Sequence, residues 1–175
     1  AIEEMNNLQM GNPMDESTTL GPMAQKSGQE HIIQQIKSAR EKGANIEYGK
    51  FDCPEIGYYH FPVIITGINH TLELMTEESF GPIVGIMPVK SDEEAIDLMN
   101  DSAYGLTTSI WTSDTDRAMH IGNQIDTGTF YMNRCDFLDP ELPWVGVKDS
   151  GKGCSLSELG IQYLTRPKSF YLQTG

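Results

Sequence analysis

Between residues 82 and 133 short apolar runs alternate with two helical segments, and no other stretch limits the architecture so firmly. Residues 82–89 form an apolar run of the kind found in buried strands. The run leads into Ser91-Asp92-Glu93-Glu94. A serine followed three residues later by a glutamate is a capping box, and it predicts a helix to about Asn100 with Ala95, Ile96 and Met99 inward. Residues 106–111, rich in Thr and Ile, read as the next strand. Ser113 or Asp114 caps a second helix, through about Gln124, that turns Ala118, Met119 and Ile121 to the core. Residues 127–133 are a third strand. This order predicts an α/β sheet with flanking helices and right-handed crossovers.

The flanking regions are less regular. Ile2, Met5 and Leu8 share a helical face, and the chain opens on Ala1 as if inside a helix, so we expect the protein to extend upstream. Gly11-Asn12-Pro13 ends that helix. Residues 25–42 are helical, with Ile32, Ile33, Ile36 and Ala39 at three- and four-residue steps and Gly43 as the stop. Strands are expected at 45–48 and 58–66, and a helical turn at 72–77. Residues 134–155 hold Pro140, Pro143, Gly146, Gly151 and Gly153 and read as one long irregular loop, a feature that is usually functional or disordered. A short helix is expected at 156–164 and a last strand at 167–173, with Phe170 and Leu172 on one face. That strand has no crossover back into the sheet, which points to pairing with another subunit.

A net charge of −13 argues against a nucleic-acid partner, which requires a clustered cationic face. No run approaches the roughly 18 apolar residues of a membrane span, and no signal peptide is evident. Cys53, Cys135 and Cys154 are odd in number, widely spaced and lack any metal-binding pattern, which suggests inert thiols in a reducing compartment, the cytoplasm or an organelle matrix, and we expect a cytoplasmic protein. His31, His60, His70 and His120 form no catalytic or metal constellation.

The sharpest local feature is Glu77-Glu78-Ser79-Phe80-Gly81-Pro82. Gly-Pro after an aromatic forces a tight reversal before a strand. Taken alone, it is either a charged turn with an anchoring phenylalanine or a ligand site at a strand end.

In sequence order, the chain also carries Gly11-Asn12-Pro13 with Gly21-Pro22-Met23, then Gly57-Tyr58-Tyr59 with Pro62-Val63. Further on come Asn100 with Tyr104-Gly105-Leu106, Thr127-Gly128-Thr129 with Asn133, and Pro143-Trp144-Val145-Gly146-Val147-Lys148-Asp149-Ser150-Gly151. Together with Glu78 to Pro82 this ordered set resembles the aldehyde dehydrogenase superfamily across nearly the whole chain.

The resemblance implies an open Rossmann-like sheet with flanking helices. Residues 1–165 would be part of a catalytic domain, and residues 166–175 a C-terminal oligomerisation strand extending toward a partner subunit. It implies NAD or NADP as cofactor, with Glu78 hydrogen-bonded to the nicotinamide-side ribose and Phe80 packed nearby; a carboxylate can accept from both ribose hydroxyls. It places Arg134, Asp136, Leu138 and Trp144 at or near the substrate pocket. Arg134 could pair bidentately with a carboxylate-bearing aldehyde. Val145 replaces a family glycine, which questions the loop's backbone geometry.

The family's nucleophilic cysteine and general-base glutamate fall upstream of the matching segment. The parent enzyme would oxidise a small-molecule aldehyde to a carboxylic acid through a thiohemiacetal, as a homo-oligomer, and this chain alone would be inactive without the missing N-terminal part. Two alternatives are a stand-alone non-catalytic interaction or oligomerisation remnant and an acylating semialdehyde dehydrogenase. No membrane or nucleic-acid partner is expected.

Overall fold

The computed structural model describes residues 1–135 and 137–175, and their contacts divide into two compact units, Ala1–Val89 and Lys90–Gly175.

The first unit contains helices α1 (Ile2–Asn6), α2 (Lys26–Glu41) and α3 (Glu73–Thr76) and strands β1 (Asn45–Tyr48), β2 (Val63–Thr66) and β3 (Ile83–Gly85). The sheet order is β1-β2-β3. β1 runs antiparallel to β2 in the register Asn45↔Thr66 to Tyr48↔Val63, and β3 runs parallel to β2 from Val63↔Ile83 to Ile65↔Gly85. Strand β2 is central and apolar, so Val63 and Ile65 form the core with Ile32, Ile36 and Ala39 of α2 and with Ile68, Leu72 and Leu74. Gly43 ends α2 at φ +84°, with its N–H on the Arg40 carbonyl and the Ala44 N–H on the Ala39 carbonyl. These two bonds are a Schellman stop, as the sequence predicts.

Three expectations change in this unit. Helix α1 stops at Asn6, so Leu8 lies outside it. The strand expected from residue 58 begins only at Val63, because Pro62 has no N–H to give a ladder. On α2, Ile33 faces out at 46 % exposure, and the inward position belongs to Gln35 at 2 %. Neither atom of the Gln35 amide has a hydrogen-bond partner among the described residues. A buried amide left in this state costs about 1–3 kcal/mol. Gln35→Met, which keeps the side chain's length and removes its polarity, is expected to raise stability by about 1–2 kcal/mol, measured as a higher urea midpoint at unchanged slope.

The second unit contains helices α4 (Asp92–Asn100), α5 (Thr115–Gly122) and α6 (Ser157–Tyr163). Its strands are β4 (Tyr104–Gly105), β5 (Thr107–Ile110), β6 (Thr129–Met132) and β7 (Val147–Lys148). β5 and β6 are parallel, from Thr107↔Thr129 to Ile110↔Met132, with α5 as their crossover. Ile96, Ile121 and Ile125 pack against Ile110 and Phe130 to form the core. Both predicted caps form. Ser91 Oγ accepts from the Glu94 N–H at 3.2 Å and Asp114 Oδ1 from the Arg117 N–H at 2.9 Å, which decides between Ser113 and Asp114. Glu94 reaches one residue further back than a capping box requires, accepting from the Lys90 N–H at 2.6 Å. The starts of α4 and α5 are joined by a two-pronged ion pair, with Arg117 Nε 2.7 Å from Asp92 Oδ2. The hydrogen bond from Arg117 holds the Asp92 carboxyl below its ordinary range. The Asn100 side chain bonds the Gln124 carbonyl at 2.7 Å and the Asp126 N–H at 2.8 Å, and so ties the end of α4 to the chain entering β6.

The three-strand alternation of this region appears with shorter strands. β4 and β7 pair antiparallel, Tyr104↔Lys148 and Gly105↔Val147, so the expected irregular stretch contains a two-residue strand. Met119 faces solvent. No strand is assigned among residues 166–175, all of which are exposed. A strand exists only where a second backbone completes its ladder, and among the described residues none pairs with that segment. The family-implied open sheet is thus realised as a mixed α/β arrangement of small sheets with flanking helices.

Candidate functional site

The residues following β6 build a cleft in the second unit. β6 ends at Met132, and Asn133, the next residue, adopts φ +54°. Asparagine tolerates this left-handed geometry better than most residues. Its side chain then bonds both polar groups of Thr112, accepting from the N–H at 2.9 Å and donating to the carbonyl at 2.7 Å. The chain beyond is held through its carbonyls. The Ser109 hydroxyl donates to the Arg134 carbonyl, and the Tyr131 hydroxyl donates to that of Phe137.

Farther along, Trp144 and Ser155 exchange N–H···O bonds of 2.8 and 3.0 Å, and the Ser157 N–H reaches the Pro140 carbonyl at 2.9 Å. Gly128 passes so near Val145 that a Cβ there would lie 1.5 Å from the Val145 carbonyl oxygen. Leu156 sits at φ +62° and ψ 172°, a region that residues with side chains rarely occupy. The result is a cleft of about 220 Å³ whose lining includes Thr129, Tyr131, Arg134, Phe137, Trp144 and Leu156. The Arg134 guanidinium lies 3.6 Å from the centroid of the Phe137 ring.

Two of the sequence-predicted pocket residues, Arg134 and Trp144, come together here. Leu138 does not line the cleft and is exposed. Asp136 lies outside the described residues. Tyr131, Phe137 and Leu156 were not singled out from the sequence. Tyr131 had one available signal, since it is an aromatic residue in a strand. Leu156 had none, because its place in the cleft follows from a strained backbone. Val145 is absent from the residues with positive φ, whereas Lys148 and Gly151 have it, so the valine fits the local turn.

The Glu78 to Pro82 turn belongs to the first unit. It follows α3 and precedes β3, and its Pro82 carbonyl accepts from the Val63 N–H at 2.8 Å. Gly81 is pressed on α2, where a Cβ would meet Ile32 at 2.8 Å. With the backbone anchored there, Phe80 takes φ +47° and projects outward at 84 % exposure. Glu78 is exposed beside it, and its carboxylate accepts no hydrogen bond among the described residues. The turn therefore presents an unpaired anion and an uncovered aromatic face, which together suit a polyhydroxylated ligand with a flat ring. No group of three metal-binding side chains occurs among the described residues, and all three cysteines are free thiols.

The model of the aldehyde dehydrogenase family matches residues 1–170. The chain belongs to the aldehyde dehydrogenase family. An aldehyde dehydrogenase of Paenarthrobacter nicotinovorans is 37% identical over 92% of this chain and 35% of its own length. A succinate-semialdehyde dehydrogenase [NADP(+)] of Mycobacterium ulcerans is 33% identical over 98% of this chain and 37% of its own. Among solved structures, betaine aldehyde dehydrogenase from Staphylococcus aureus in complex with NAD+ superposes with a TM-score of 0.85 at 30% identity. That match covers 92% of this chain and 33% of the other. The chain thus spans about a third of the length of the aldehyde dehydrogenases that it matches. Among the described residues, no helix is long and apolar enough to cross a membrane.

Proposed function

We propose that this chain supplies the nicotinamide-positioning turn and part of the aldehyde pocket of an NAD(P)-dependent aldehyde dehydrogenase that converts aldehydes to carboxylic acids. The observation that carries this function is the outward Glu78 and Phe80 pair. A bulky aromatic held at positive φ and left uncovered contributes nothing to its own unit's core, and strain of this kind collects at functional sites. Glu78 would accept from the ribose hydroxyls and Phe80 would pack beside the cofactor. The nicotinamide, when bound, supplies the hydride acceptor. Trp144, Tyr131 and Phe137 give the aldehyde an apolar wall, and Arg134 stands at its edge.

Cys53, Cys135 and Cys154 carry no chemistry in this proposal. The thiol nucleophile and the glutamate base come from the rest of the enzyme, and these 175 residues alone are inactive. Residues 166–175, exposed and carrying Phe170, Tyr171 and Leu172, serve as the strand that joins a second subunit in a homo-oligomer. Three free thiols suit a cytoplasmic setting.

The test is cofactor affinity in the enzyme that carries this segment. Glu78→Gln is expected to weaken NAD or NADP binding by about tenfold, since it exchanges charge-assisted bonds for neutral ones. Phe80→Ala should act in the same direction, while the Michaelis constant for the aldehyde changes little in both. Calorimetric titrations that returned wild-type cofactor affinity for both variants would remove the turn from the cofactor site.

A further inference from the structure

The cleft of the second unit has a cationic edge, and the donors around it are arranged for one kind of ligand. The Arg134 guanidinium lies over the Phe137 ring, and its N–H groups have no hydrogen-bond partner among the described residues, so the planar fork can donate to a ligand. The backbone carbonyls of both residues are tied, by Ser109 and Tyr131, so the stack has a fixed base. Asp139, an acidic side chain of the same lining, turns its Oδ1 to the Glu141 N–H 2.9 Å away. A second donor is present as well. Thr129 lines the cleft, and its buried hydroxyl has no hydrogen-bond partner among the described residues. A buried hydroxyl left unpaired is unfavourable unless a ligand completes it.

We propose that this cleft selects aldehydes carrying a carboxylate at the end remote from the aldehyde group, with Arg134 as the bidentate donor and the Thr129 hydroxyl as the second. This assignment rests on the aldehyde-oxidising function proposed above and names its substrate class. Trp144, Tyr131 and Phe137 by themselves would make an aromatic enclosure suited to a quaternary ammonium group. Arg134 reverses that preference. It covers the Phe137 face and places a permanent positive charge where the ammonium would lie.

The experiment compares kcat/KM for three aldehydes of matched length, bearing a carboxylate, no charge or a trimethylammonium group. The enzyme that carries this segment is assayed as wild type, Arg134→Gln, Arg134→Lys and Thr129→Val. The wild type is expected to favour the carboxylate over the uncharged aldehyde by about tenfold or more. Arg134→Gln should lower the carboxylate value by about 10- to 100-fold, leave the uncharged one within about threefold and raise the trimethylammonium value. Arg134→Lys should keep part of the preference, since a point charge lacks the planar fork. Thr129→Val should lower the carboxylate value alone.

Equal losses on all three substrates, or a wild type that takes the trimethylammonium aldehyde as readily as the carboxylate, overturn the proposal. Calorimetric binding of succinate to the same proteins separates the two levels. A wild type that oxidises none of the aldehydes but binds succinate through Arg134 refutes the oxidising function and upholds the anion site. A protein that binds succinate no better than Arg134→Gln refutes the anion site.

Discussion

Gly128→Ala is expected to destabilise the second unit by about 3 kcal/mol or more, the range reached when a core is forced to admit atoms for which it has no room. The cause is steric. Gly128 is not among the glycines with positive φ, so its backbone conformation suits an alanine. The obstacle is the added Cβ, 1.5 Å from the Val145 carbonyl oxygen and 2.5 Å from its carbon. Both atoms are main chain, and no side-chain rotation relieves the overlap. Either β6 moves, losing the Gly128 N–H bond to the Gly105 carbonyl, or the loop around Val145 swings away and opens the cleft. Urea unfolding followed by tryptophan fluorescence checks the magnitude, and hydrogen exchange at Trp144 and Ser155 reports which element yields. Gly28→Ala is the internal comparison. It lies within α2, where the new Cβ meets only the mobile end of Met23 at 3.1 Å, so stability should hold or rise by about 0.5–1 kcal/mol from helix propensity. Loss of similar size at both positions would show that the close approach at Gly128 is unimportant.

The second large effect is expected at Asn133. Asn133→Ala should cost about 2–4 kcal/mol, combining two lost hydrogen bonds to Thr112 with the poorer tolerance of alanine for left-handed geometry. The variants Gly and Asp divide that sum. Asn133→Gly recovers the backbone part and lacks the bonds. Asn133→Asp keeps an acceptor for the Thr112 N–H but sets a carboxylate oxygen against the Thr112 carbonyl, 2.7 Å from the atom that now receives a donor. The expected stability order from urea midpoints is Asn, then Gly, then Ala. An alanine variant as stable as the wild type would mean that the end of β6 does not depend on this bridge.

The features legible in the sequence share a short range. Ser91, Asp114 and Gly43 act on atoms within a few residues of themselves, so their roles as caps and stop can be read without the rest of the fold. The parallel pair β5 and β6 was legible because its crossover helix lies between recognisable apolar runs. The phase of α2 was not. Periodicity allows Ile33 or Gln35 on the buried side, and packing on β2 decides, at the expense of an apolar residue left outside. The pairing of β4 with β7 was hidden because a two-residue strand has no periodicity and its partner lies 44 positions away in the Tyr104↔Lys148 register.

The cleft divides in the same manner. Arg134 and Trp144 stood out by residue type and by their places in family-like motifs. Phe137, Tyr131 and Leu156 join them only because remote hydrogen bonds set the path of the loop. The glycine in Thr127-Gly128-Thr129 was visible as a motif, but its cause, a neighbouring carbonyl that leaves no space for a methyl group, is visible only in three dimensions.

The fastening of the cleft loop has an evolutionary consequence. Ties described above at four residues grip the loop by its backbone: the carbonyls of Arg134, Phe137 and Pro140, and the N–H and carbonyl of Trp144. Asp139, Lys148 and Ser150 tie the loop through their side chains, but the side chains of Arg134, Phe137 and Trp144 take no part in those backbone ties. Their identities can drift under selection for a new metabolite while the scaffold stays shut, provided no proline arrives at position 144, where an N–H is required. A recognition surface of this type can be rewritten by single substitutions, each felt by the ligand before it is felt by the fold.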